Sequence, residues 1–120
     1  MTLRHENSTV TWDELPAAVT TCLRALRDRD AATALTTFAA DAEVTDEGRT
    51  VRGRSAIADW LSSAGSEFTY TTTCISATMP DASNVDVLQR LDGDFPGGVA
   101  ELHHRFTLVG GLIRRLVIEP

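Results

Sequence analysis

Lysine is absent from this chain, and all eleven basic residues are arginine. Seventeen Asp and Glu outnumber them, so the formal net charge is −6. A surface of that sign repels phosphate backbones, which excludes nucleic acid as an expected partner. No apolar run reaches the roughly 18 residues needed to cross a bilayer, so no membrane partner is expected either. The opening stretch MTLRHENSTV has no apolar signal core, which predicts a cytoplasmic protein. Cysteine is sparse. Cys22 and Cys74 stand alone, with no CxxC and no His at ligand spacing. They read as free thiols in a reducing compartment, although sequence alone leaves a disulfide between them open. No metal set is legible. No cofactor is expected, since Gly97-Gly98 reads as a turn with no helix after it to hold a phosphate.

What the chain does have is 120 residues with 42% hydrophobic content, enough for one core. Residues 1–9 read as a flexible N-terminal tail and residues 10–120 as a single domain. Trp12, Leu15, Val19, Cys22 and Leu26 recur at spacings of three and four, the stripe of a first helix. Its start has two readings. Thr11 and Glu14 have capping-box spacing, whereas Asp13 as cap would put Pro16 in the first turn, where its missing N–H is harmless. Asp30 is a good cap for a short second helix from Ala31 to about Ala39. A strand is expected from Ala42 to Asp46, turning at Glu47-Gly48 into a return over Thr50 to Arg52. Ser55 reads as the cap of a third helix, with Ile57, Trp60, Leu61 and Ala64 on one face and Gly65 as its stop.

Beyond Glu67 the pattern changes. Four long β runs follow, over Glu67–Met79, Val85–Phe95, Val99–Val109 and Leu112–Glu119, joined by short turns that suit antiparallel hairpins. Helices first and a sheet after them make an α+β fold. Three N-terminal helices laid on one face of a curved antiparallel sheet give a cone, a cystatin-like α+β barrel. Its open end is a natural ligand site.

Specific residues carry a resemblance. The runs Asp30-Ala31-Ala32, Phe38 to Asp46 and Val51 to Ile57 resemble the nuclear transport factor 2-like superfamily, which includes SnoaL-like proteins. Gly93 to Gly98, Phe106-Thr107-Leu108 and Leu112-Ile113 add to the likeness, which spans Trp12 to Pro120. The resemblance implies a conical barrel with a deep pocket, often paired as a homodimer through the outer sheet face. It specifies the fold well and function poorly, because the superfamily hosts isomerases, cyclases, hydrolases and non-enzymes.

Asp46 is the leading catalytic candidate. Strand alternation places it with Ala42 and Val44 on the apolar face, where a carboxylate needs a partner or a purpose. In the ketosteroid-isomerase branch an aspartate at the matching place abstracts the substrate proton. The oxyanion-binding tyrosine and protonated acid of that branch match Cys22 and Leu102 here, and neither is a strong donor. His104 shares its face with Leu102, Phe106 and Leu108 and is the second catalytic candidate. His103 points the other way, so the two histidines cannot chelate one metal. Arg90 and Asp92 resemble part of a limonene-epoxide-hydrolase site, but the last strand, Leu116 to Glu119, has no Asp to complete it. Cys22, Phe38, Trp60, Tyr70 and Phe106 are the candidate pocket wall for an apolar small molecule, against the simpler reading that they are core. Catalysis by an Asp general base and binding without chemistry both remain open at this point.

Overall fold

The computed structural model describes residues 9–63 and 70–120. Ala64, Gly65, Phe68 and nearly all of the N-terminal tail lie outside them. The one described residue of that tail, Thr9, bridges Thr78.

Among the described residues the first helical element is a 3-10 turn, Trp12–Glu14. The Glu14 carboxylate accepts from the Thr11 N–H at 2.8 Å. Leu15 is extended, and α1 (Ala17–Arg27) follows with Pro16 as its N-cap residue. Neither cap expected from the sequence starts this helix. Pro16 stands just ahead of it, and its carbonyl accepts from Val19 and Thr20. A proline there forfeits no helical hydrogen bond.

Asp30 caps α2 (Ala31–Leu35) as expected, its side chain accepting from the Thr33 N–H at 3.2 Å. The helix is shorter than the sequence suggests. The Thr36 and Thr37 hydroxyls donate back to the Thr33 and Ala34 carbonyls, each at 2.6 Å, and the Thr37 carbonyl accepts from Ile113. Side chains that bond to the preceding turn compete with helix continuation. The chain therefore extends four residues earlier than expected, into β1 (Phe38–Asp46).

Glu47 and Gly48 both have positive φ, at 54° and 77°, which suits a tight two-residue hairpin into β2 (Arg49–Arg52). The third helix, α3 (Arg54–Ser63), begins one residue before the expected cap Ser55, which lies in its first turn. The Gly53 carbonyl accepts from Ile57, and φ at Gly53 is 86°, a value that favours glycine.

The remaining strands are β3 (Tyr70–Asp81), β4 (Asn84–Gly93), β5 (Val99–Val109) and β6 (Leu112–Glu119). The Asp81 side chain accepts from the Ser83 and Asn84 N–H groups and fixes the β3–β4 turn. The sheet has six strands in the order β2-β1-β6-β5-β4-β3. It is open, with β2 and β3 at its edges. Four pairings are antiparallel, as the hairpin reading requires. The pairing of β1 with β6 is parallel, so the curved sheet is mixed.

The helices cover one face, α1 against β6 and α3 against β1 and β2. The α+β cone thus holds, with one parallel pairing added. Its core is packed by Phe38, Ile113, Phe106, Leu116, Val19 and Ile57, all fully buried.

Candidate functional site

The inner face of the sheet changes character from one end to the other. Phe38, Ile113 and Val85 are buried toward one end, whereas Asp46, Ile118, Leu102, Leu91 and Tyr70 are only half-buried. Strand register puts these half-buried residues together at the other end. Asp46 lies opposite Ile118, Ile118 opposite His104, and His104 opposite Val87. Asp46 and His104 therefore occupy one row of the inner face with a single isoleucine between them. Two strand spacings of ~4.8 Å put them on the order of 10 Å apart.

Asp46 is held from the helical layer. Trp60, one turn beyond the buried Ile57 on α3, donates its indole Nε1–H to Asp46 Oδ2 at 3.1 Å. The carboxylate on this apolar face thus has a partner, and Oδ1 makes no protein hydrogen bond among the described residues. His104 is 7% exposed, and its Nδ1 has no hydrogen-bond partner among the described residues. Burial drives its pKa down to about 4, so the ring is neutral at ordinary pH. A neutral imidazole can donate from one nitrogen and accept at the other.

The candidate wall residues divide into two groups. Cys22, Phe38 and Phe106 are closed core, at 0%, 0% and 1% exposure. All three are packed as core, and the early end of α2 puts Phe38 at the start of β1. Burial also pushes the Cys22 thiol up to about 12, which removes it as a nucleophile. Trp60 and Tyr70 are half-buried toward the open end, and the Arg29 guanidinium lies 5.9 Å from the Tyr70 ring.

A cleft of about 200 Å3 opens between α1 and the β3–β4 hairpin. Trp12, Leu23, Arg24, Arg27, Thr72, Cys74 and Gln89 line it. None of the sequence-nominated wall residues is among them. Gln89 was legible by the same alternation that singles out His104, since it follows Val85 and Val87 on the apolar face of its strand. Arg24 and Arg27 gave no such signal, because basic residues in a helix's last turn ordinarily complement its dipole.

The outer face mixes charged pairs with exposed Ile75, Val99 and Val109. His103 Nδ1 lies 2.9 Å from Asp86, while Arg105 reaches Glu119 at 3.2 Å and Asp86 at 4.0 Å. Arg90 and Asp92 pair at 3.2 Å in solvent, which is the simpler of their two readings. Both cysteines are free. Among the described residues no group of three or more His, Cys, Asp or Glu is placed to hold a metal ion, and no helix is long and apolar enough to cross a membrane.

The model of the SnoaL-like domain matches residues 19–116. The chain belongs to the SnoaL-like domain family. No curated protein matches the sequence. Among solved structures, this SnoaL-like domain is similar to a proposed polyketide cyclase from Sinorhizobium meliloti. The two share 32% identity over 92% of this chain and all of the other, with a TM-score of 0.83. A Δ5-3-ketosteroid isomerase from Mycobacterium sp. shares the fold at 20% identity and a TM-score of 0.70, over 87% of this chain and 90% of the other. So does a Mycobacterium tuberculosis protein in complex with estradiol-17β-hemisuccinate, at 17% identity and a TM-score of 0.68, over 84% and 88%.

Proposed function

We propose that this SnoaL-like domain takes up an apolar small molecule at the open end of its sheet, with Asp46 as the proton acceptor and His104 as a second polar contact. The observation that carries the reading is the inner-face row Asp46–Ile118–His104, which sets a carboxylate and an imidazole on either side of one aliphatic side chain. The similarity to a proposed polyketide cyclase supports a cyclase or isomerase type of chemistry, as do the fold relatives that act on or hold steroids. Such chemistry begins with removal of a proton next to a carbonyl, which a positioned carboxylate performs. Trp60 orients that carboxylate through Oδ2 and leaves Oδ1 for the substrate.

A thermal-shift screen against ketones, aromatic polyketide-like compounds and lipids tests the reading, followed by NMR of the Trp60 indole N–H. Hits should raise the melting temperature and move that resonance, because Trp60 touches Asp46. A screen with no hit, or hits that leave the Trp60 signal unmoved, would count against it.

Binding without chemistry is the second reading, and a specific observation favours it. The positions matching the isomerase branch's two oxyanion donors are here a buried high-pKa thiol, Cys22, and Leu102. An enolate would lack the donors that ordinarily stabilise it.

We extend the proposal to a homodimer through the outer sheet face and to a cytoplasmic location. Sedimentation velocity should give twice the mass of the 13.0 kDa chain. A monomer at tens of micromolar would remove the dimer and leave the pocket untouched.

A further inference from the structure

We propose that the cleft between α1 and the β3–β4 hairpin is a carboxylate subsite, so that the ligand is a small molecule with an apolar ring body and an acidic substituent. The inference deepens the function proposed above and rests on it.

The charge of the cleft runs against that of the chain. The net charge is −6, yet no acidic side chain lines the cleft and two arginines do. Arg24 pairs with no carboxylate among the described residues, and its guanidinium lies 5.6 Å from the Trp12 ring centroid. Among the described residues Arg27 is engaged only with its neighbour Asp28, in a solvent-exposed pair at 2.9 Å. Exposed pairs of that kind are weak and open readily to a competing anion.

Basic residues in the last turn of a helix need no ligand to explain them. Gln89 adds a second observation. It is 8% exposed, lines the same cleft, and makes no side-chain hydrogen bond among the described residues. Its amide opens onto the cleft and is free to donate an N–H to a ligand oxygen. Thr72 and Cys74 add further weak polar groups on the sheet side, and Trp12 supplies a flat apolar wall. A guanidinium, an amide donor and an aromatic plane together suit a carboxylate attached to a ring.

Size and position fit the same reading. A volume of about 200 Å3 holds the acid and a ring or two. Gln89 and Asp46 stand on the same inner face, three strands apart in the sheet order. Three spacings of ~4.8 Å and a two-residue offset along the strand make roughly 16 Å, the length a polycyclic ligand with its acid here would need to reach Asp46.

The test is calorimetric titration at low salt with 2-naphthoate and with methyl 2-naphthoate. The acid should bind about tenfold more tightly than the ester, a preference that added salt reduces. Arg24→Gln, a change at an exposed helix position, should abolish the preference without changing the fold. Gln89→Leu should weaken acid binding more than ester binding, because the carboxylate accepts the stronger hydrogen bond. Equal affinities, tighter ester binding, or a preference that survives Arg24→Gln would each overturn the carboxylate subsite while leaving an apolar pocket standing. Failure of both probes to bind would overturn the subsite and count against the pocket as well.

Discussion

Asp46→Asn will lower turnover by about 10²–10⁴-fold, the usual contribution of a positioned general base, while the melting temperature stays within a few degrees of wild type. The asparagine side chain keeps a carbonyl oxygen, so the Trp60 indole retains its acceptor at the end of β1. The amide cannot accept a proton from carbon. The measurement is hydrogen–deuterium exchange at the acidic C–H of a ketone identified in the thermal-shift screen, followed by NMR with each protein. Exchange at wild-type rate in the variant would remove Asp46 from the chemistry and leave the binding reading. A large loss of stability would show that the carboxylate is structural.

Acidification will destabilise this domain through His104 in a defined window. The folded-state pKa is about 4 and the ordinary value is 6.5, so the unfolded chain binds the extra proton first as pH falls. Stability attributable to this residue is intact above about pH 6.5. It declines as pH drops toward 4 and changes no further below that. Two to three pKa units correspond to roughly 3 kcal/mol across the window. His104→Leu removes the titration, so the variant should gain by that amount relative to wild type between pH 7 and pH 4. Urea denaturation of both proteins at several pH values measures the difference. Parallel curves would mean that the imidazole is solvated or paired when folded.

Local patterns carried much of the architecture. Alternation in Val99–Val109 and the punctuation at Gly110-Gly111 place β5 and β6 where they are found, and Asp81 makes the turn its side chain suits. Asp30 caps the second helix for the same local reason. The end of that helix was harder to read. Ala31 to Ala39 looks helical until the hydroxyls of Thr36 and Thr37 turn back on the preceding carbonyls and the Thr37 carbonyl accepts from Ile113. That last partner is distant in the chain, and no window of sequence contains it.

The same limit applies to the site. Period-two alternation puts Asp46 and His104 on the inner face, but that they share a row follows from the parallel β1–β6 register. The cleft combines a helix end, Arg24 and Arg27, with a mid-strand Gln89, and only tertiary packing brings them together. Cys22, Phe38 and Phe106 show the converse. A sequence cannot tell a side chain that faces a hollow from one that fills it.

The parallel pairing of β1 with β6 has a consequence for how this chain is made. In the strand order, β6 separates the β1–β2 hairpin from the β3–β4–β5 meander. Until residues 112–119 leave the ribosome, these two pieces have no strand to join them, and each exposes an unpaired edge. The sheet is completed by a late insertion, so the nascent chain depends on whatever shields those edges during synthesis.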